Sequence, residues 1–192
     1  PMFQSLDLLS VKGVFMKKIA GLLLAVALIF SAITAQAEDA KRLTLATGGT
    51  SGVYYPLGGA IGQVLGAKSN GKLAVTAQST GASGENMRLI DAGGVDFAIV
   101  QNDVADAAFN GTPPFEKNKL QNVRALGRLY PEYLHVVASK DSGIKSLADF
   151  KGKKISVGAR GSGNEVNCRQ IFSFYGLDYR NLKPIFLPYG ET

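Results

Sequence analysis

Tryptophan is absent from the 192 residues, and cysteine and histidine each occur once, as Cys168 and His135. A single cysteine cannot form an internal disulfide bond. A zinc-type metal site needs several histidine or cysteine ligands at characteristic spacings, and neither residue has a second member of its kind. Cys168 lies among apolar residues of a predicted helix, which favours a packed side chain over a reactive thiol. The sequence therefore predicts neither a metal site nor a cofactor.

The chain also lacks the signals of nucleic-acid binders and of common enzymes. Its formal net charge is +6, but the lysines are scattered among acids and form no basic stripe interleaved with aromatic residues. No serine has a G-x-S-x-G context, no turn ends in the Gly-Lys-Ser/Thr of a nucleotide-binding loop, and the G-x-G-x-x-G fingerprint is incomplete. His135 lies within a strand-like run, away from any nucleophile. We expect no nucleic-acid partner and no enzymatic activity.

The N-terminal region has the three parts of a secretory signal peptide. A basic start at residues 16–18 is followed by an apolar run at 19–33 and an Ala-Gln-Ala cleavage site at 35–37. This order predicts residues 16–37 as a signal peptide, cleavage after Ala37, and a periplasmic mature protein. Residues 1–15 precede Met16 and are interpreted as an upstream extension or sequence added for expression.

The most informative stretch is the glycine- and hydroxyl-rich turn at residues 47–56. An alternating strand precedes it from Arg42, and apolar residues at helical spacing follow Pro56, a residue that suits the first helical position. Such a turn presents backbone N–H groups and the positive end of a helix dipole, which favours small anions. A strand-to-helix turn that needs glycine only for its backbone remains an equal alternative at this point.

The same order of strand, polar turn and helix occurs three times in the first part of the chain. Strands are predicted at residues 73–78 and 96–101, each followed by polar residues and a helix. Repeated units of this kind indicate a parallel sheet with crossover helices. Because ligands of open α/β sheets bind outside the carboxyl ends of the strands, the three turns are expected to converge on one site.

The second part of the chain is predicted to begin another α/β lobe. Strand-like runs at residues 123–130 and 133–139 are interpreted as the crossing between a first lobe, residues 38–130, and a second, residues 131–192. A strand at 154–158, a turn at 160–164 and a helix at 165–175 repeat the earlier order, and a strand at 184–188 follows. Arg160 could bind a carboxylate with two hydrogen bonds, although a solvated surface cation is an equal alternative. With so few strands, the second lobe looks truncated.

The order of these motifs resembles the TAXI family of solute receptors from tripartite ATP-independent periplasmic (TRAP) transporters. The matching pieces are residues 46–56, 78–83 with Asn86, 96–103, 129–132, 141–144, 149–153 and 157–163. The resemblance implies a type II periplasmic-binding-protein fold with two lobes and a hinge. It also implies a monomer that captures a small carboxylate, such as glutamate or 2-oxoglutarate, for a sodium-driven TRAP permease.

Ligand-binding residues are carried over from the same resemblance, position by position. The first three turns contribute Thr50, Ser51, Gly52, Tyr54, Ser79, Thr80, Gly81, Gln101 and Asp103. The second lobe contributes Arg160, Gly161, Ser162, Gly163, Asn164 and, at a strand end, Tyr189.

The alternatives to a receptor are an enzyme, a ligand-sensing domain and a secreted or antigenic protein. An enzyme would need a nucleophile with its base or a carboxylate pair, which the sequence does not supply. A ligand-sensing domain of a regulator is disfavoured by the signal peptide. A secreted or antigenic protein on the same fold, without a transport role, stays open.

Overall fold

The computed structural model describes residues 39–192. The predicted signal peptide at residues 16–37, its cleavage point after Ala37 and residues 1–15 lie outside the described residues. Within residues 39–192, no helix combines the length and apolar character needed to cross a membrane.

Residues 40–122, here called the N-terminal half, form a parallel sheet with crossover helices. The strands are β1 (Lys41–Ala46), β2 (Leu73–Gln78) and β3 (Phe97–Ala98), in the order β2-β1-β3. β1 is parallel to both neighbours and pairs with β2 from Lys41–Leu73 to Ala46–Gln78. The helices are α1 (Tyr54–Lys68), α2 (Ser83–Asp91) and α3 (Asn102–Asn110). All three strands therefore deliver their carboxyl ends to the same edge of the sheet.

Helix α1 packs very closely on this sheet because two of its residues are glycines. A Cβ on Gly58 would lie 2.5 Å from Thr47 Cγ2, and a Cβ on Gly62 would lie 2.6 Å from the carbonyl oxygen of Val75. The glycines thus let the helix backbone approach the strands. The helix begins at Tyr54, two residues before the start predicted at Pro56.

Residues 140–192, here called the C-terminal half, contain a second, smaller sheet. Strands β4 (Lys154–Ser156) and β5 (Lys183–Ile185) are parallel, and helix α4 (Gly163–Phe174) lies between them in sequence. Three short 3-10 helices span Lys140–Ser142, Leu147–Phe150 and Tyr189–Glu191. The core of this half contains Phe150, Val157, Phe172, Leu177 and Leu182. The α/β fold with parallel sheets predicted from the sequence is therefore confirmed.

One residue of α4 belongs to the core of the other half. Val166 packs into the N-terminal cluster, whose other buried members are Met87, Val104, Ala107, Ala108, Phe115 and Leu120. The two halves therefore share apolar contacts, and α4 is the element that joins them.

Two of the predicted strands are wrong. Residues 121–139 contain no strand, although strands were predicted at 123–130 and 133–139. A strand requires a hydrogen-bonding partner, and no other segment among residues 39–192 pairs with this one. Its apolar side chains are accordingly exposed, with Leu126 at 83% and Val137 at 89%. The strand predicted at residues 96–101 is also shorter, because only Phe97 and Ala98 pair with β1.

Candidate functional site

A single buried side chain, Asn86 of α2, ties together the ends of the three N-terminal strands. Its Nδ2 group donates to the carbonyl oxygens of Thr47 at 2.6 Å and Ile99 at 2.8 Å. Its Oδ1 atom accepts from the Thr80 hydroxyl at 2.6 Å. Thr47 follows β1, Thr80 follows β2 and Ile99 follows β3. The three turns predicted to converge from the topology are therefore brought together by one amide.

The first turn also contacts the second directly. The Ser79 hydroxyl donates to the carbonyl oxygen of Gly48 at 3.1 Å, and the Thr80 N–H donates to the same oxygen at 3.3 Å. Thr50 and Ser51 are exposed, and neither side chain forms a hydrogen bond within residues 39–192. Their hydroxyls are consequently free to meet a ligand at this edge of the sheet.

The second turn contains a backbone conformation that is rare for a residue with a side chain. Ala82, which precedes α2, has φ 67° and ψ −150°. This region is almost exclusive to glycine and costs on the order of 1–3 kcal/mol for other residues. The Ala82 N–H donates to the Thr80 hydroxyl at 3.1 Å, and the Gly81 N–H donates to Glu85 Oε2 at 2.7 Å. These contacts hold the strained turn in place.

The turn at residues 160–164 of the C-terminal half lies against these N-terminal turns. The Gly84 N–H donates to the carbonyl oxygen of Gly161 at 3.1 Å. Gly163 packs so closely on Gln101 that a Cβ at this position would overlap the Gln101 amide. We call this line of contact, formed by the turns at 47–54, 79–84, 101–103 and 160–164, the seam. The sequence-predicted residues of both halves meet there.

Two of the predicted site residues bind a residue that the prediction missed. Gln101 Nε2 donates to Asn167 Oδ1 at 2.9 Å, and Asn167 Nδ2 donates to Asp103 Oδ2 at 2.6 Å. Asn167 is buried in the middle of α4. It had no sequence signal of its own, since a polar residue within a helix is usually exposed to water.

The turn at residues 160–164 is stabilised from within its own half. The Ser162 hydroxyl caps α4 by accepting from the Glu165 N–H at 3.2 Å. The buried Glu165 carboxylate accepts from the Gly161 N–H at 3.3 Å and from the Tyr179 hydroxyl at 3.0 Å, and it pairs with Arg169. Burial and this carboxylate raise the pKa of Tyr179. Glu165 therefore positions the turn, a role that the sequence did not indicate.

Arg160 does not face a carboxylate in this structure. Its guanidinium carbon lies 3.7 Å from the centre of the Phe186 ring, a cation–π arrangement. Among residues 39–192 the ion pairs are Arg169–Glu165 and Arg180–Asp178, so Arg160 retains an unpaired charge beside the seam. A long, exposed side chain of this kind can exchange an aromatic partner for an anionic one.

Tyr189 closes the C-terminal end of the seam. Its hydroxyl donates to Asn164 Oδ1 at 2.9 Å. Its ring lies close to Gly52, since a Cβ there would be 3.2 Å from Tyr189 Cδ2, and a Cβ on Gly190 would be 2.5 Å from Ser51 Oγ. The predicted residues Ser51, Gly52, Asn164 and Tyr189 are thus neighbours, although they are far apart in sequence.

Tyr54 contacts residues 123–139, here called the connecting segment because they lie between the two halves, through the carboxylate of Glu132. Its hydroxyl donates to Glu132 Oε2 at 3.0 Å, and the Tyr130 hydroxyl donates to Glu132 Oε1 at 3.3 Å. Burial and the adjacent Glu132 charge raise the pKa of Tyr54 well above its usual range, and the same two causes raise the pKa of Tyr130 to about 12. Both phenols are therefore neutral donors at physiological pH. Glu132 is, after Asn167 and Glu165, another residue that site prediction missed, although it lies in the motif at 129–132.

Three other features of the described residues were considered as ligand or reaction sites, and each lacks the strand-end turns of the seam. A surface depression of about 320 Å³ lies near the end of α4, beside Phe172, Gly176 and Tyr179, and contains no strand-end turn. In the described part of the chain no group of three or more His, Cys, Asp or Glu side chains could hold a metal. Burial raises the pKa of Cys168, which keeps its thiol protonated.

Comparison with solved structures finds periplasmic binding proteins. The alkanesulfonate-binding protein SsuA from Xanthomonas axonopodis pv. citri, bound to MOPS, is 14% identical, with a TM-score of 0.47 over 78% of this chain and 48% of that one. The periplasmic aliphatic sulphonate binding protein SsuA from Escherichia coli is 17% identical, with a TM-score of 0.42 over 78% of this chain and 46% of that one. The chain thus spans about half the length of these proteins.

Comparison with protein families gives a match over most of the described residues. The NMT1-like family matches residues 45–192, which include every turn of the seam, the second sheet and α4. The chain belongs to the NMT1-like family.

Proposed function

We propose that this protein is a periplasmic solute receptor that binds a small organic anion at the seam. The observation that carries the proposal is the meeting of strand-end turns from two parallel sheets, through Gly84–Gly161 and the Asn167 bridge to Gln101 and Asp103. Ligands of open α/β sheets bind outside the carboxyl ends of the strands. A seam between two such edges can enclose a ligand from both sides.

The chemistry of the seam favours an anionic group on the ligand. Helices α1, α2, α3 and α4 all begin there, so their N-terminal partial positive charges lie close together. The exposed hydroxyls of Thr50 and Ser51 supply further donors. Arg160, at the start of the fourth turn, takes part in no ion pair within residues 39–192 and adds a positive charge. A carboxylate is the group suggested by the resemblance to TAXI receptors, and a sulfonate offers a similar set of acceptors.

The strain at Ala82 supports the same location. A backbone conformation that costs on the order of 1–3 kcal/mol persists only where the surroundings hold it, and such strain concentrates at binding and catalytic sites. Ala82 lies between Gly81 and the first residue of α2, so its backbone angles set the orientation of the Gly81 turn relative to the helix axis. Because the Gly81 and Ala82 N–H groups already bind Glu85 and Thr80, the strain fixes the shape of the turn and leaves the ligand to other donors.

Transport is the role that we propose for this binding. The motif order of the TAXI receptors supports delivery of the solute to a sodium-driven TRAP permease, with the receptor acting as a monomer without catalysis. An adjacent gene for a multi-span permease is the expected genomic context. Turnover of ester, amide or phosphate substrates above the blank rate would instead indicate an enzyme.

Calorimetry on the full-length protein tests the binding site. We expect one or more members of a panel of small carboxylates and sulfonates to bind, and the substitution Ser51→Ala to weaken that ligand about tenfold, since a hydrogen bond to a charged group is worth about 1.5–3 kcal/mol. Ser173→Ala, which removes an exposed hydroxyl from α4 away from the seam, is the matched control and should leave the affinity unchanged. Equal weakening in both variants, or none in either, would contradict the assignment of the seam.

A further inference from the structure

The carboxylate of Glu132 lies at the edge of the seam, held by two phenols. Tyr54 begins α1 immediately after the first turn, and its hydroxyl donates to one carboxylate oxygen. Tyr130 donates to the other oxygen from the connecting segment. The carboxylate is therefore fixed in orientation beside a turn that contributes to the proposed anion site.

A third phenol approaches the same place from the C-terminal half. Tyr189 lies near enough to Tyr130 to contribute to the raised pKa of that phenol, and its own hydroxyl binds Asn164 of the seam. Tyr54, Tyr130 and Tyr189 thus come from three different segments. A protonated amine prefers acceptor oxygens, which the Glu132 carboxylate supplies together with the phenol oxygens that contact it.

Glu132 differs from the nearby carboxylates Glu85 and Asp103 in the kind of donor it receives, and none of the three takes part in an ion pair within residues 39–192. Glu85 accepts from the Gly81 backbone, and Asp103 accepts from the Asn167 amide. Glu132 receives only two neutral hydroxyls. Each ionised carboxylate has about four acceptor positions, so two remain for a further donor.

An uncompensated negative charge at this place limits which anions the seam can accept. Glu132 is exposed, so solvent screens its charge in part, but a ligand with acid groups alone would still bring like charges together. A ligand that also carries a protonated nitrogen would place opposite charges together. The seam has the donors for the acid group at its glycine-rich turns and the acceptor for the nitrogen at Glu132.

We propose that Glu132 is a specificity-determining residue that binds a protonated amino group of the ligand. The inference rests on the proposed receptor function and narrows it, from small organic anions in general to amino acids over oxo acids of the same carbon skeleton. Tyr54 and Tyr130 are positioning residues that hold the Glu132 carboxylate.

The test compares ligands that differ only at the nitrogen. Calorimetry on the full-length protein uses the pairs L-glutamate and 2-oxoglutarate, L-aspartate and oxaloacetate, and L-alanine and pyruvate. We expect the amino member of the pair that binds to be at least about tenfold tighter, the size of one charge-assisted hydrogen bond. In Glu132→Gln, which keeps the shape but removes the charge, we expect the amino acid to weaken by a similar factor while the oxo acid does not weaken.

Two further variants separate a local effect from a general one. Glu116→Gln makes the same charge change at an exposed position on the loop after α3, and its preference should equal that of the wild type. Tyr130→Phe retains the Glu132 charge but removes one of the hydroxyls that orient it, so its loss of preference should be smaller than that of Glu132→Gln. Circular dichroism of each variant checks that the fold is retained, and the wild-type preference tests the proposal without any substitution.

The outcomes distinguish this inference from the function on which it rests. Equal or tighter binding of the oxo acid, or a preference that survives Glu132→Gln, overturns the role of Glu132 and leaves the receptor function standing. Binding of sulfonates alone also overturns the role of Glu132. Failure of the whole panel to bind overturns the receptor function and this inference with it.

Discussion

The two halves of the protein differ in the size of their sheets and in how well each covers its own apolar side chains. The N-terminal half has three parallel strands, with β1 and β2 paired along their whole length, and its strand ends converge on Asn86. The C-terminal half has two strands of three residues each, and it leaves Phe174 85% exposed. Its helix α4 places Val166 in the N-terminal core. The seam therefore joins the edge of a larger sheet in one half to a turn of the other half, whose own sheet is smaller.

The largest effect is expected from removal of the Asn86 amide, which binds the ends of the N-terminal strands. In Asn86→Ala, two buried carbonyl oxygens and the Thr80 hydroxyl lose their partner, and each unsatisfied group costs about 1–3 kcal/mol. We expect the free energy of unfolding to fall by about 3 kcal/mol in urea denaturation. Asn118→Ala, an exposed asparagine on the loop after α3, is the control and should change it by less than about 0.5 kcal/mol. A small effect at Asn86 would show that the turns do not depend on it.

A pair of valines tests whether the C-terminal half depends on the N-terminal core. Val166 and Val157 are 2% and 1% exposed, in the N-terminal and C-terminal clusters respectively. Truncation of either to alanine should cost about 2 kcal/mol through lost burial and a cavity. Hydrogen exchange should show lower protection in α2 and α3 for Val166→Ala, and only within the C-terminal half for Val157→Ala. The same exchange pattern in both variants would mean that the halves are one cooperative unit.

Two glycines of α1 test how closely this helix packs on the sheet of the N-terminal half. A Cβ at Gly62 would meet the Val75 carbonyl, which belongs to the backbone of β2 and cannot turn away, whereas a Cβ at Gly59 would meet no atom within 4 Å. Gly62→Ala should destabilise the protein by about 1–3 kcal/mol, as overpacking does. Gly59→Ala should stabilise it by about 0.5–1 kcal/mol, because alanine restricts the unfolded chain and suits a helix. Thermal unfolding of the two variants measures the difference, and equal shifts would contradict the close packing of α1.

The weakest expected effect concerns the contact between Tyr130 and Glu132 within the connecting segment. The pKa of Tyr130 rises from 10.0 to about 12, through burial and the Glu132 carboxylate, so the folded state retains this proton to higher pH than the unfolded state. The corresponding stabilisation is fully present below pH 10 and is lost as the pH rises towards 12. Urea midpoints measured across this range should fall less steeply in Tyr130→Phe. Identical pH dependence in variant and wild type would show that the Tyr130 contact contributes nothing.

The alternating units of the N-terminal half could be predicted because their signals are local. Strand β2 occupies the predicted residues 73–78, and parallel topology alone places the turns at 47–56, 79–84 and 101–103 at one edge. Residues 123–139 show the limit of the same reasoning. Their apolar alternation indicates strands, but pattern alone cannot say whether another segment is available to pair with them.

Contacts across the seam could not be predicted, because they join residues far apart in sequence. Asn167 lies more than 60 residues from both Gln101 and Asp103, and its polar side chain within a helix gave no sign of burial. Arg160 was predicted to face a ligand carboxylate, and only the structure shows the ring of Phe186 beneath it. The residue types of the turns thus indicated a site, while the partners of each side chain depended on tertiary packing.

At the seam, one ligand is proposed to contact turns of both halves. Hydrogen–deuterium exchange of the full-length protein, with and without the tightest ligand of the calorimetric panel, tests it most directly. We expect bound ligand to slow exchange in residues 47–54, 79–84 and 160–164 together, because the same molecule covers all three turns. Slower exchange in one half alone, or at residues 176–179 beside the depression near α4, would contradict it.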